Sequence, residues 1–264
     1  MPEKMQRGLR AIKHLNRAGE VLRCQRGTRE FWRVTAAYLG FGSLQFPHTI
    51  AVSGNTFRLQ EQYDLQTLWQ IYFRRIYDVR SEDRLILDLG ANIGLFSCFA
   101  AVQSRQARVY AVEPFPSTFD RLIEHTRLNG VTERVHCMNV AVNRLGTDAM
   151  MLTEGMASQM FRLATKGQGT IAVSGITLAN LLSQIGCPVD FMKMDIEGSE
   201  YDVLLSTDKD TLANIKRATV EYHEPLAGVV GSPELLIQHL ASSGLRLTRR
   251  VGESQYGLLY FDRE

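Results

Sequence analysis

Two hydrophobic rhythms alternate along most of this chain. Short continuous apolar runs, as expected of strands buried on both faces, are followed by stretches whose apolar positions recur every three or four residues, as expected of helices. Arg84-Leu-Ile-Leu-Asp-Leu89 is the first such run, and Ile93 to Val102 predicts the helix after it. Arg108 to Val112 predicts a second strand, Ser117 to Leu128 a helix capped by Ser117 and stopped at Asn129-Gly130, and Val135 to Val142 a third strand. Leu178 to Ile185 predicts a helix, Phe191 to Asp195 the fourth core strand, Tyr201 to Leu205 the start of a helix, and Ala218 to Tyr222 the fifth strand. A helix over Pro233 to Ser243 stops at Gly244, and Leu245 to Val251 and Tyr256 to Phe261 pair as an antiparallel hairpin at the sheet edge. Seven strands result, five of them joined by helical crossovers. Repeated β-α-β units imply an α/β fold: a Rossmann-like, doubly wound, mostly parallel sheet with helices on both faces and a terminal antiparallel hairpin.

The first quarter of the chain follows another pattern. Residues 4–23 read as a basic helix with Leu9, Ile12 and Leu22 as apolar contacts. His48 to Leu59 alternates around Gly54-Asn55 and reads as a β-hairpin. Asp64 is placed to cap a helix carrying Leu65, Leu68, Trp69, Tyr72, Phe73 and Ile76 at helical spacing. The expected division is an N-terminal extension over residues 1–60 and a main domain over residues 61–264. Residues 146–175, rich in Gly, Ser, Thr and Met, read as an insertion with a hairpin that ends in Thr170 to Ser174.

Composition adds little to this picture, and charge distribution adds more. Hydrophobic residues at 45% and charged residues at 22% are ordinary for a globular protein. No run approaches the roughly 18 to 20 apolar residues of a membrane span, and no apolar stretch follows the basic N-terminus as a signal peptide requires. A cytoplasmic chain is expected. Cys24, Cys98, Cys137 and Cys187 form no CxxC pair, so buried reduced thiols are expected rather than a zinc site or a disulfide framework. Net charge is +2, yet residues 1–33 carry nine Lys/Arg against three Glu, a net of +6 that leaves −4 for the rest. Such an arm either touches an acidic partner, an anionic acceptor or a membrane surface, or is a solvated face packed on its own domain or on a second subunit. A homo-oligomer formed through the extension is one expectation; a nucleic-acid partner is not expected.

In an open parallel sheet the ligand sits beyond the carboxyl ends of the strands, at the switch in strand order. At the first such end, Asp88-Leu-Gly90-Ala-Asn92-Ile-Gly94 forms a tight turn into a helix, with glycines that allow close approach to a ligand. A dinucleotide fingerprint would need glycine at 92 and 95, where Asn92 and Leu95 stand, and no GK[ST] follows as in a P-loop. Glu113 closes the second strand, placed to accept hydrogen bonds from a ribose. Val140 and Ala141 offer small apolar surfaces for a flat adenine. Asp195, with Glu197 and Glu200 after it, ends the fourth strand; Glu221 and His223 end the fifth, on one side of it. A histidine titrating near neutral pH can take a proton from an attacking hydroxyl; alternatively, Asp195 and Glu221 can hold a divalent cation such as Mg²⁺ that acidifies that hydroxyl. The sequence leaves both open.

The segments Leu87-Asp-Leu-Gly-Ala-Asn-Ile-Gly-Leu-Phe96, Val109-Tyr-Ala-Val-Glu-Pro114, Leu128-Asn-Gly130, Met194-Asp-Ile-Glu-Gly-Ser-Glu200 and Val220-Glu221 resemble the FkbM family of S-adenosylmethionine-dependent methyltransferases. Leu89 and Met194 are conservative departures from the family pattern. The resemblance covers about residues 60–225. It implies a class I methyltransferase sheet and O-methylation of a sugar, polyketide or other secondary metabolite. On this reading Asp88, Gly90, Asn92, Gly94, Glu113, Val140, Ala141 and Asp195 hold the donor, and Asp195, Glu221 and His223 handle a small-molecule or sugar acceptor. Residues 1–60 and 146–175 lie outside the resemblance and are expected to choose the acceptor. A nicotinamide-dependent oxidoreductase shares the fold logic but needs the missing glycine; a non-catalytic adenosine-binding module has no need of the acids and histidine.

Overall fold

The computed structural model describes residues 18–152, 163–164, 170–225, 228–252 and 256–264. They fall into two compact units that divide between Asp78 and Val79.

The first unit holds helices α1 (Ala18–Gly27) and α2 (Phe31–Leu39), the hairpin β1 (His48–Val52) and β2 (Asn55–Leu59), helix α3 (Gln62–Leu68) and a π-helical turn over Trp69–Arg74. Of the expected basic helix, residues 4–17 lie outside the described residues. The hairpin turn is Ser53-Gly54, one residue earlier than expected, because both turn residues must take positive φ and do so at 47° and 87°. Asp64 is not the N-cap of its helix. Glu61 caps it, and Asp64, in the first turn, accepts from the amides of Gln60 (2.6 Å) and Glu61 (3.3 Å) in a capping box. The first unit, which ends at Asp78, takes in this helix and the π-helical turn that continues it. The aromatic residues of the turn pack there: Trp69 stacks on Tyr38 with ring centroids 4.1 Å apart and donates to Glu20 Oε2 (2.8 Å), while Tyr72 donates to Asn55 Oδ1 (2.8 Å).

The second unit is the expected α/β domain. Its elements are β3 (Leu85–Leu89), α4 (Leu95–Gln103), β4 (Arg108–Val112), α5 (Pro116–Leu128), β5 (Val135–Met138), β6 (Ala141–Val142), β7 (Ala149–Leu152), β8 (Leu163–Ala164), β9 (Thr170–Val173), β10 (Gly175–Ile176), α6 (Leu178–Ile185), β11 (Phe191–Met194), α7 (Glu200–Ser206), α8 (Lys209–Leu212), β12 (Arg217–Tyr222), α9 (Pro233–Ser242), β13 (Leu245–Gly252) and β14 (Gly257–Arg263). The main sheet has seven strands in the order β13-β14-β12-β11-β3-β4-β5. All are parallel except β14, which runs antiparallel to both neighbours. The chain winds outward from β3 to β5, then returns to the other side of β3 with β11. The switch point therefore lies between β3 and β11.

Burial explains the order. Every position of β3, β11 and β12 is buried, as a strand covered on both faces requires. Of the terminal hairpin, the apolar β14 is buried from Gly257 to Phe261 and inserts beside β12; the arginine-bearing β13 is exposed over its last five residues and takes the edge. A helix start and a strand end differ from expectation. Helix α5 begins at Pro116 with Phe115 as its N-cap, not Ser117. The third core strand stops at Met138 instead of reaching Val142. The Asn139 side chain turns back to donate to the carbonyls of Glu113 (2.8 Å) and Pro114 (2.9 Å), and Ala141–Val142 pairs in parallel with β10. In the 146–175 segment, β7 pairs antiparallel with β8 and β9; residues 153–162 and 165–169 lie outside the described residues. The four cysteines are free. Cys24 and Cys98 are buried, and burial pushes their thiols up to about 11 and about 12, which leaves them unreactive. Cys137 and Cys187 are only half-buried, against the expectation that all four are buried.

Candidate active site

The turn after β3 is held from three sides. Gly90, Asn92 and Gly94 all take positive φ (77°, 50° and 84°). A Cβ on Gly90 would stand 1.7 Å from the Asp195 carbonyl oxygen, and one on Gly94 2.6 Å from Leu122 Cδ1. The two glycines thus allow close packing inside the protein, β3 against the end of β11 and the turn against α5. Asp88 is fully buried under the turn; its Oδ2 accepts from Ser97 Oγ (2.5 Å) and its Oδ1 faces Lys193 Nζ at 3.1 Å. Asn92 Oδ1 accepts from the Ile93 amide (2.6 Å).

Glu113, buried at the end of β4, ties this turn to the next one. Its Oε2 accepts from the Asn92 amide (2.8 Å), and its Oε1 from the Phe115 amide (2.9 Å) and Thr118 Oγ1 (2.8 Å). Burial raises its carboxyl above the ordinary value, and those hydrogen bonds oppose the rise. A carboxylate offers about four acceptor positions, so three bonds leave capacity on Oε2 for a hydroxyl. Val140 is half-buried against the main core. Ala141 is buried with Val173, next to Phe115 and Ile171, and its amide donates to the Ser174 carbonyl (2.7 Å).

Lys193 was not among the expected site residues, although the sequence places it two positions before Asp195, on the same face of β11. Its side chain is almost fully buried at the switch point, donating to the Gly90 carbonyl (2.6 Å) and pairing with Asp88 (3.1 Å) and, at 3.8 Å, Asp195. Burial works against its charge, but Asp88 and Asp195 more than compensate and raise its pKa.

The ends of β11 and β12 carry a second cluster. His223 follows directly after β12. Its Nε2 lies 3.6 Å from Glu197 Oε2 and 4.0 Å from Asp195 Oδ1. Its Nδ1 lies 3.0 Å from Oε1 of Glu200, which is 0% exposed and also accepts from the amides of Ile196 (3.0 Å) and Gly198 (2.9 Å). Burial lowers the readiness of His223 to charge, but Glu200, Asp195 and Glu197 outweigh it and push the imidazole up to about 10. The three carboxylates favour the charged imidazole, where the sequence suggests a near-neutral one. Glu197, at φ 54°, is pushed up to about 8 by burial and then by Asp195. Glu221 is pushed up to about 7, by burial and then by Asp195, and accepts a hydrogen bond from the Tyr256 hydroxyl.

The sequence expects Asp195 and Glu221 as a metal pair, and a three-residue group that shares Asp195 is also assembled. Among the described residues, ligand atoms of Asp195, Glu197 and His223 lie within 4.8 Å of one another. Glu197 and Glu200 belong to this cluster through tertiary contact; a strand-face argument favours Glu221, because only the positions within the strand obey its alternation.

The profile of the methyltransferase FkbM domain matches residues 88–247, more than half of the chain. The chain belongs to the FkbM methyltransferase family. It is an S-adenosylmethionine-dependent methyltransferase, which sets aside both the nicotinamide-dependent oxidoreductase and the non-catalytic module. It is 28% identical to the hexuronic acid methyltransferase AglP of Haloferax volcanii over 193 residues, covering 69% of this chain and 77% of that one. It is 24% identical to the methyltransferase sdnD of Sordaria araneosa over 220 residues, covering 70% and 83%. With the 31-O-demethyl-FK506 methyltransferase FkbM of Streptomyces tacrolimicus it shares 23% identity over 198 residues, covering 63% and 75%. No helix among the described residues is long and apolar enough to cross a membrane.

Proposed function

We propose that this methyltransferase acts on a hydroxyl oxygen of a sugar or secondary metabolite. The observation that carries the reading is the cluster of Asp195, Glu197, Glu221 and His223, gathered at the strand ends that adjoin the turn after β3. An alcohol gives up its proton far less readily than an ammonium or a thiol, so an oxygen acceptor needs a proton-handling group beside it. One relative is named for an oxygen acceptor, a 31-O-demethyl compound, and another for a sugar-acid substrate, a hexuronic acid.

S-adenosylmethionine supplies a methyl group on a sulfonium, which becomes a neutral thioether when the C–S bond breaks. The residues present fit that donor: Glu113 has a free acceptor position for a ribose hydroxyl, and the acids around Asp195 suit a cationic sulfur. Gly90, Asn92 and Gly94 shape the donor turn over Asp88, and Val140 and Ala141 flank the adenine. Asp195 and Glu221 take the acceptor proton, while His223, anchored by Glu200, places the hydroxyl. Alignment with no covalent intermediate is what a direct displacement asks of a protein. The 146–175 segment contributes to the acceptor choice.

The test is to supply methyl-labelled S-adenosylmethionine with a panel of sugars, uronic acids and polyketide alcohols and to locate the label by NMR. A methyl ether is expected. Label found only on nitrogen, sulfur or carbon overturns the reading.

A further inference from the structure

We propose that Asp195, Glu197 and His223 bind a divalent cation of the Mn²⁺ or Zn²⁺ type, positioned to receive the acceptor hydroxyl; this deepens the reading above and rests on its placement of the acceptor. The first support is spacing. Two ligands about 2.1 Å from a tetrahedral centre stand about 3.4 Å apart. His223 Nε2 is 3.6 Å from Glu197 and 4.0 Å from Asp195, so small side-chain movements close the shell.

The second support comes from outside the three residues. Ligating histidines almost always hand their other ring nitrogen to a carboxylate or a carbonyl, which fixes the ring and its tautomer. Glu200 does this to Nδ1 while anchored by two backbone amides and shut away from solvent. Only Nε2 is left to face Asp195 and Glu197. Lys193 lies 3.8 Å from Asp195, but its nearer partners are the Gly90 carbonyl and Asp88, and a bound cation would displace the proton that the carboxylates hold on His223.

Ligand chemistry selects the ion. Calcium takes six to eight oxygens, and magnesium is held by carboxylates and water, whereas an imidazole with two carboxylates suits manganese or zinc. This replaces the Mg²⁺ expected from carboxylates alone. Three protein ligands leave coordination positions open, as catalytic metal sites do, and a hydroxyl bound there would lose its proton more easily.

Full-length protein stripped with chelator is titrated calorimetrically with Mn²⁺ and with Zn²⁺, without donor or acceptor. One ion per chain is expected, with affinity lowered at least tenfold in Glu197→Gln and in His223→Gln, and about 10- to 100-fold in Glu200→Gln, where the ligands remain but the ring loses its anchor. Circular dichroism confirms that each variant is folded. No binding by the folded wild type, or equal binding by Glu197→Gln and His223→Gln, overturns the site. The two readings fail separately. Methyl ether formed in chelator by protein that binds no ion overturns the cation and leaves O-methylation standing; ion bound as expected with methyl delivered to nitrogen supports the cation site and overturns O-methylation.

Discussion

Two strand-to-helix turns meet at the switch point, one after β3 and one after β11. The β3 turn passes through positive φ at Gly90, Asn92 and Gly94, residue types that adopt this conformation at little cost, and Glu113 ties it in with bonded oxygens. The β11 turn puts a glutamate, Glu197, at φ 54° and crowds it with Asp195, Glu200 and Glu221. One turn is at ease with its sequence. The other stores backbone strain and like-charge repulsion, which proteins tend to concentrate where chemistry is done. The difference teaches that the β3 turn is built by backbone geometry and the β11 turn by electrostatics; on the proposed assignment of donor to the first and acceptor to the second, substitutions on the two sides should fail in different ways.

The largest effect is expected on the acceptor side, and in rate alone. His223→Ala should lower turnover about 10²- to 10⁴-fold with donor affinity retained, read from steady-state kinetics beside calorimetry with S-adenosylmethionine. Equal turnover would end the contrast, since the acceptor cluster would then do nothing. Gly90→Ala tests the other side through stability. It adds a Cβ 1.7 Å from a carbonyl oxygen at φ 77°, and left-handed strain with overpacking should together cost about 2 to 5 kcal/mol in urea unfolding. A loss no larger than that of Gly130→Ala would mean that the β3 turn can yield.

Smaller effects sharpen the comparison. Glu113→Ala should weaken S-adenosylmethionine binding by about 1.5 to 3 kcal/mol, the range for hydrogen bonds to a charged group; unchanged calorimetric affinity removes Glu113 from the donor side. Gly130→Ala, at φ 62° with nothing within 4 Å of the added Cβ, should cost only the left-handed strain of about 1 to 2 kcal/mol. Deleting residues 1–17 should not change donor affinity at all, because every residue assigned to the donor lies after Val79 and the cut spares the Glu20 contact to Trp69. Lost affinity in the folded truncation would move the arm into the site.

The sequence by itself determined the doubly wound sheet, the seven strands of its main sheet and the family. Those features are written locally: continuous apolar runs mark strands buried on both faces, and a short stretch such as Asp88 to Gly94 carries its own turn chemistry. It even held the edge order, since β13 has the arginines and β14 the apolar run, although a hairpin pattern alone does not say which strand faces β12. Only the tertiary structure decided what depends on residues far apart in the chain. The π-helical turn after α3 packs in the first unit because Trp69 finds Tyr38 and Glu20. Gly90 is a glycine because of Asp195, more than a hundred residues away. Glu200 and Glu197 gather on His223 and favour its charged form, while Glu221 turns to Tyr256. A side chain's charge state is set by its neighbours in space, and spacing along one strand does not name them.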